Sequence, residues 1–121
     1  MKTILIVDDD PKMLELLKHY LRKEEVNVLT AADGEEGLSV FDGKAVDLVI
    51  IDIFMPNMDG IQTILEMKQK QPEASILVIS GGGEFTGLEY LKQAKALGAK
   101  EALVKPFSQD DFLTTVRSML A

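Results

Sequence analysis

The sequence predicts a doubly wound α/β domain of three layers (α/β/α), in which a five-stranded parallel sheet is covered by five helices. Short apolar runs alternate with longer segments of helical period along the whole chain. These runs are continuous rather than alternating, which is typical of strands buried on both faces. A chain of 121 residues is long enough to bury one substantial core. We therefore expect residues 1–121 to form one domain.

Five runs rich in Val and Ile are predicted to be strands, over residues 3–7, 26–30, 48–51, 76–79 and 102–104. Helices are predicted between them. The first begins at Pro11, with Asp10 as its N-cap. Further helices are expected over 34–41, 61–70 and 88–97, with Gly98 as a left-handed C-cap. The last begins at Ser108, with Asp111 in a capping-box-like position.

Composition narrows the class of protein. The net charge is −7, which disfavours a general surface for nucleic acid or for anionic membranes. The chain has no cysteine, which excludes disulfides and thiolate metal sites. No apolar run approaches the ~18 residues that span a bilayer, and no secretory signal is evident. A cytoplasmic protein without a membrane or nucleic-acid partner is expected.

Polar residues stand at the carboxyl ends of four predicted strands. Asp8 and Asp9 follow the first strand and Asp52 the third, while Ser80 and Lys105 follow the fourth and fifth. In open parallel sheets ligands bind at this edge. Each residue taken alone is most simply a turn former, a cap or a solvated side chain. Their convergence from four strand ends predicts a functional site.

The chemistry of this set indicates magnesium and phosphate. Repulsion among Asp8, Asp9 and Asp52 would be relieved by Mg²⁺, which prefers oxygen ligands and is often shared with phosphate. A carboxylate can act as a nucleophile toward phosphorus. Ser80 could donate a hydrogen bond to a phosphoryl oxygen, and Lys105 could place positive charge on another.

The motifs ILIVDDDP, DLVIIDIFMPNMDG, ILVIS and ALVKPF resemble, in order and spacing, the receiver domain of two-component response regulators. The resemblance extends over essentially the whole chain and implies the CheY-like form of the flavodoxin-like fold. It implies that Asp52 is the phospho-acceptor and that Asp8 and Asp9 bind Mg²⁺, for which Mn²⁺ can substitute. It further makes the backbone carbonyl of Phe54 a metal ligand, Ser80 the switch hydroxyl and Lys105 the phosphoryl contact. The Lys105–Pro106 bond is expected to be cis.

The resemblance also implies a function. The phosphoryl group would come from a sensor histidine kinase or a histidine phosphotransfer protein. The chain would catalyse only its own phosphorylation and dephosphorylation, and would not be an enzyme in the wider sense. The output would be binding to a downstream protein through the face of the fourth helix, fifth strand and fifth helix, by a monomer or a phosphorylation-dependent dimer.

One departure concerns the switch. Family members usually carry an aromatic residue three positions before the lysine, and here that position is Ala102. We therefore expect the output face to signal by a different movement, for which the loop containing Gly81, Gly82 and Gly83 is a candidate.

Two alternatives to a stand-alone receiver are considered. The chain could be a receiver cut from a longer regulator, although Met1 and the end soon after the last helix favour the stand-alone form. Asp8-x-Asp10 after a strand also resembles the start of haloacid-dehalogenase-type phosphatases, but 121 residues leave little room for their later metal ligands and cap.

Overall fold

The computed structural model describes residues 1–53, 60–80, 92 and 95–121. In chain order its elements are β1 Lys2–Val7, α1 Pro11–Tyr20, β2 Val26–Ala31, α2 Gly34–Gly43, β3 Leu48–Asp52, α3 Gly60–Lys70, β4 Ile76–Ser80, β5 Glu101–Val104 and α4 Gln109–Leu120. The predicted helix over 88–97 falls mostly outside the described residues, of which Lys92, Lys95 and Ala96 are helical. None of the described helices is long and apolar enough to cross a membrane.

The sheet is entirely parallel over its described strands and has the order β2-β1-β3-β4-β5. The predicted doubly wound α/β fold is confirmed. The direction of winding reverses between β1 and β3, and this switch point is where open α/β sheets hold their ligands. It lies between the strands that end next to Asp8 and at Asp52.

Alternate residues of the central strands pack on opposite faces of the sheet, which gives the three predicted layers. Leu5, Val49 and Val78 contribute to a core with residues of α2 and α3. Their neighbours Ile4, Ile50 and Leu77 belong to a second core with residues of α1 and α4. Because β3 and β4 are buried along their whole length, the strand ends are held firmly at the sheet edge.

The predicted helix boundaries are confirmed at three capping positions. The side chain of Asp10 accepts a hydrogen bond from Lys12 N, with Pro11 in the first turn of α1. Ser108 Oγ accepts from Asp111 N and caps α4. Gly98 has a φ of 102°, the left-handed conformation expected of it.

Candidate functional site

The predicted residues lie at one edge of the sheet, but β3 and β4 each extend one residue beyond the predicted strand end. Asp52 and Ser80 are the last residues of β3 and β4 rather than the first residues of loops. The sheet continues through them because Ile53 N donates to Ile79 O and Lys105 N donates to Ser80 O. Both side chains are therefore attached to rigid backbone.

Three carboxylates meet at this edge. One oxygen from each of Asp8, Asp9 and Asp52 lies within 4.8 Å of the others. Asp8 and Asp52 are 2% and 7% exposed, whereas Asp9 is open to solvent. Within the described part of the chain, no other group of acidic, histidine or cysteine side chains is arranged to hold a metal. The set therefore offers hard oxygen ligands on a buried wall with one open side, which suits Mg²⁺.

Lys105 supplies the positive charge at the centre of this cluster. Its Nζ lies 3.2 Å from Asp52 Oδ2 and 3.9 Å from Asp8 Oδ2. The Lys105–Pro106 bond is cis, as predicted. Lys105, which follows β5, thus lies beside one carboxylate at the end of β3 and another just after β1.

Burial raises the pKa of the Asp8 carboxyl from 3.8 to about 6. The hydrogen bond from the backbone of Asp10 opposes this rise, the charge of Asp52 adds to it, and the charge of Lys105 opposes it. Burial therefore disfavours the ionised form of Asp8, and a cation bound beside it would offset that cost.

Ser80 ends the strand adjacent to the one that carries Asp52. It is 1% exposed, and Asp52 pairs in register with Ile79, the residue before it. The hydroxyl and the carboxylate thus belong to the last residues of adjacent strands, offset by one residue in register. Phe54, whose carbonyl the resemblance makes a metal ligand, lies outside the described residues, as do Gly81, Gly82 and Gly83.

Gly60, the first residue of α3, lies against the backbone that carries Asp52 and was not identified from the pattern of strand ends. A Cβ at this position would lie 2.5 Å from Asp52 O and 2.5 Å from Ile53 Cα. Its N–H donates to Ile53 O. The start of α3 therefore packs directly on the backbone that carries Asp52, and only glycine permits this approach.

We expect Gly60→Ala to lower the free energy of unfolding by about 2 kcal/mol or more, because backbone must move to admit the methyl group. Gly43→Ala is the matched control, since nothing lies within 4 Å of a Cβ there. That control should be neutral or stabilising by less than ~1 kcal/mol. Urea denaturation of both variants measures the difference, and equal stabilities would contradict the packing described.

Comparison with known proteins agrees with this geometry. The family model described as the response regulator receiver domain matches residues 4–117. The transcriptional regulatory protein CpxR of Klebsiella pneumoniae is 38% identical over 120 residues, covering 99% of this chain and 50% of the relative. The regulatory protein PhoP of Bacillus subtilis is 32% identical, covering 98% of this chain and 48% of the relative. The chain thus spans about half the length of these relatives.

Solved structures show the same fold. The chemotaxis protein CheY4 of Vibrio cholerae has a TM-score of 0.88 and 30% identity, covering 99% of both chains. The response regulator TrrA of Thermotoga maritima, solved in complex with Mg²⁺–BeF, has a TM-score of 0.86 and 36% identity, covering 99% of this chain and 100% of that one. Matched by the family model over nearly its whole length, this chain belongs to the response regulator receiver domain family.

Proposed function

We propose that residues 1–121 form a phosphorylation switch that accepts a phosphoryl group on Asp52 in a Mg²⁺-dependent reaction. The observation that carries the proposal is the meeting of three carboxylates within 4.8 Å, with Lys105 Nζ 3.2 Å from Asp52. The matching family model is described as the response regulator receiver domain, and a role in two-component signalling is what the family resemblance implies. The identity of the acceptor and the direction of transfer are our inference from the site.

Asp52 is the best placed of the three carboxylates to act as the nucleophile. It ends a fully buried strand, and its Oδ2 contacts the ammonium of Lys105. Asp8 is engaged differently, because its Oδ1 accepts a hydrogen bond from Asp10 N. Asp9 is exposed and has less support from the sheet. The rigid position of Asp52 favours an in-line approach to phosphorus.

The proposed donor is a phosphohistidine of a sensor kinase or of a phosphotransfer protein. A carboxylate oxygen of Asp52 forms a bond to phosphorus as the bond from phosphorus to the imidazole nitrogen breaks. The nitrogen keeps the bonding electron pair, so the donor histidine returns as a neutral or protonated imidazole. The ammonium of Lys105 stabilises negative charge on the phosphoryl oxygens, and the hydroxyl of Ser80 donates a hydrogen bond to one of them.

Asp8, Asp9 and Asp52 would hold the metal, with the carbonyl of Phe54 as the further ligand implied by the family resemblance. The fit rests on the donor set, since clustered buried carboxylates match the oxygen preference of Mg²⁺ and of Mn²⁺. When bound, the ion would neutralise charge between the acceptor and the incoming phosphoryl group. A related structure contains Mg²⁺–BeF, which supports this assignment by analogy.

The phosphorylated domain would act by shifting its conformational population and binding a downstream protein. Ala102 of β5 offers no ring to move, so we propose that the output depends on other residues of β5 and α4, together with the helix that the sequence predicts over 88–97. The relatives are transcriptional regulators about twice the length of this chain. A nucleic-acid partner is therefore proposed only for a longer form, not for the acidic domain itself.

The phosphatase alternative is disfavoured by the position of Asp10. That alternative depends on the spacing Asp8-x-Asp10, which would give Asp10 a place in the site. Here its Oδ1 accepts the N–H of Lys12, so the carboxylate is occupied as the cap of α1. Steady turnover of a phosphomonoester by the purified chain would nevertheless favour the phosphatase reading.

The test is the intact mass of the protein after incubation with acetyl phosphate, in Mg²⁺ or in EDTA. We expect a gain of one phosphoryl group in Mg²⁺ and none in EDTA. If acetyl phosphate gives no gain, a purified phosphohistidine protein should be used as donor. Failure with both donors would contradict the proposed function and favour a constitutive binding module.

Removing the charge of Lys105 should separate metal binding from phosphoryl transfer. In Lys105→Met we expect Mg²⁺ to bind about threefold more tightly or better, because a competing cation near Asp8 and Asp52 is gone. Phosphorylation should nevertheless slow, since the phosphoryl oxygens lose their positive partner.

Lys100→Met is the matched control, because that lysine precedes the same strand at its other end and donates to Ser75 Oγ. It should leave both Mg²⁺ affinity and phosphorylation rate unchanged. Calorimetric Mg²⁺ titration and the time course of mass gain provide the two readouts. Weaker Mg²⁺ binding in Lys105→Met would contradict the electrostatic role assigned to the lysine.

A further inference from the structure

One oxygen of the Asp8 carboxylate is tied to the backbone and the other faces the cluster. Oδ1 accepts a hydrogen bond of 2.9 Å from the peptide N–H of Asp10. Oδ2 lies 3.9 Å from Lys105 Nζ. Among the described residues, the N–H of Asp10 donates the hydrogen bond that holds this carboxylate. The orientation of Asp8 toward the site therefore depends on where the N–H of Asp10 points.

The position of that N–H is fixed by the side chain of the same residue. Asp10 Oδ1 accepts from Lys12 N at 2.9 Å, and the backbone of Asp10 is extended with φ −92° and ψ 109°. Pro11 restricts Asp10 to this extended region as well. The side chain thus locks residue 10 onto the first turn of α1, with its own N–H directed back at Asp8.

We infer that Asp10 is a positioning residue, whose cap of α1 orients Asp8 for metal binding. The inference rests on the proposed function, since it assigns Asp8 as a metal ligand. It explains the third carboxylate of the run Asp8-Asp9-Asp10 without giving it a place among the ligands. Asp10 therefore has two roles. Its side chain caps α1, and its N–H holds Asp8, which follows β1.

Three substitutions at this position separate the cap from the charge. Asp10→Ala removes both, whereas Asp10→Asn and Asp10→Ser remove the charge and keep an N-cap acceptor. Asp33→Ala is the matched control, since Asp33 caps α2 in the same way by accepting from Glu36 N. Asp33→Ala also removes one carboxylate and one N-cap, but from α2, whose capping residue does not hydrogen-bond to Asp8.

Mg²⁺ affinity is the first readout, measured by calorimetric titration of the whole chain. We expect Asp10→Ala to weaken Mg²⁺ binding about fivefold. Without the cap, Asp8 must be ordered when the metal binds, at a cost similar to the free energy of a typical N-cap. Asp10→Asn and Asp10→Ser should stay within about twofold of the wild type, since an exposed charge contributes little. Equal weakening in Asn, Ser and Ala, or in Asp33→Ala, would overturn the inference.

Hydrogen exchange of the residue-10 amide is the second readout and needs no metal. The protection factor of this amide should fall in Asp10→Ala relative to amides in the sheet, and should be kept in Asp10→Asn. Unchanged protection in Asp10→Ala would overturn the inference. If the wild type bound no Mg²⁺ and took no phosphoryl group, the proposed function would fail, while this amide would still decide whether Asp10 orients Asp8.

Discussion

Asp52→Asn should reduce the Mg²⁺-dependent gain of a phosphoryl group to background. The amide has nearly the shape of the carboxylate but lacks the anionic oxygen that attacks phosphorus. Its neighbours Asp8, Asp9 and Lys105 remain, so a loss of labelling would reflect the missing oxygen of residue 52 rather than the loss of the surrounding site. Circular dichroism should show an unchanged fold, because the backbone of Asp52 stays paired in the sheet.

Asp110→Asn is the matched control for this substitution. Asp110 is exposed in the first turn of α4 and lies in another element from the cluster. It should accumulate phosphoryl groups at the wild-type rate. Asp52→Asn could instead be fully labelled under conditions in which the control is also labelled. That result would show that another residue carries the phosphoryl group and would contradict the assignment.

Asp8→Asn should make the metal-free protein more stable while greatly weakening Mg²⁺ binding. At neutral pH we expect a gain of roughly 3 kcal/mol in the free energy of unfolding, since the pKa rises from 3.8 to about 6 and a change of one in pKa corresponds to ~1.4 kcal/mol. Asn can still accept the hydrogen bond that Asp8 Oδ1 receives from Asp10 N. We expect Mg²⁺ affinity to fall by about tenfold or more, because an anionic ligand is lost.

The stability gain should depend on pH in a defined window. The folded pKa of Asp8 is raised from 3.8 to about 6, so folding favours the protonated form. Below about pH 3 the carboxyl is protonated in both states, and variant and wild type should be equally stable. Between about pH 4 and pH 6 the unfolded wild type ionises while the folded carboxyl stays protonated, so the wild type loses stability that the variant keeps. Above about pH 6 the carboxyl is ionised in both states, and the difference should no longer change with pH.

Asp9→Asn provides the contrast, because Asp9 belongs to the same cluster but is exposed. It should weaken Mg²⁺ binding with little effect on metal-free stability. Urea denaturation in EDTA at several pH values measures the stability of both variants. An Asp8→Asn protein that is less stable than the wild type at neutral pH would contradict the conclusion that burial makes the ionised form of Asp8 unfavourable.

The parts of the structure that follow from local chemistry could be predicted from the sequence. Asp10 and Ser108 are good N-cap residues just before helical patterns, and both cap helices. The apolar runs of β3 and β4 are buried along their length, as continuous runs indicate. Because parallel strands end at a common edge, the sequence also indicated that Asp8, Asp52 and Lys105 would meet.

The features that depend on tertiary contacts could not be predicted in this way. Asp8 and Asp9 are adjacent and chemically identical, yet one is buried and the other exposed. The choice is made by the packing around the end of β1, which no local pattern encodes. The close approach of Gly60 to the backbone of Asp52 likewise joins two elements whose distance only the fold sets. The two roles of Asp10 depend on two hydrogen bonds of the folded chain, from its N–H to Asp8 and from Lys12 N to its side chain.

The central claim is that Asp52 carries the phosphoryl group, and chemical trapping tests it most directly. The protein is loaded with acetyl phosphate in Mg²⁺ and treated with borohydride, which reduces an acyl phosphate to an alcohol. Peptide mass spectrometry then locates the reduced residue. We expect homoserine at position 52 in the Mg²⁺ sample and unmodified aspartate in the EDTA sample. Homoserine at position 8 or 9, or its absence from a protein that has gained a phosphoryl group, would contradict the account.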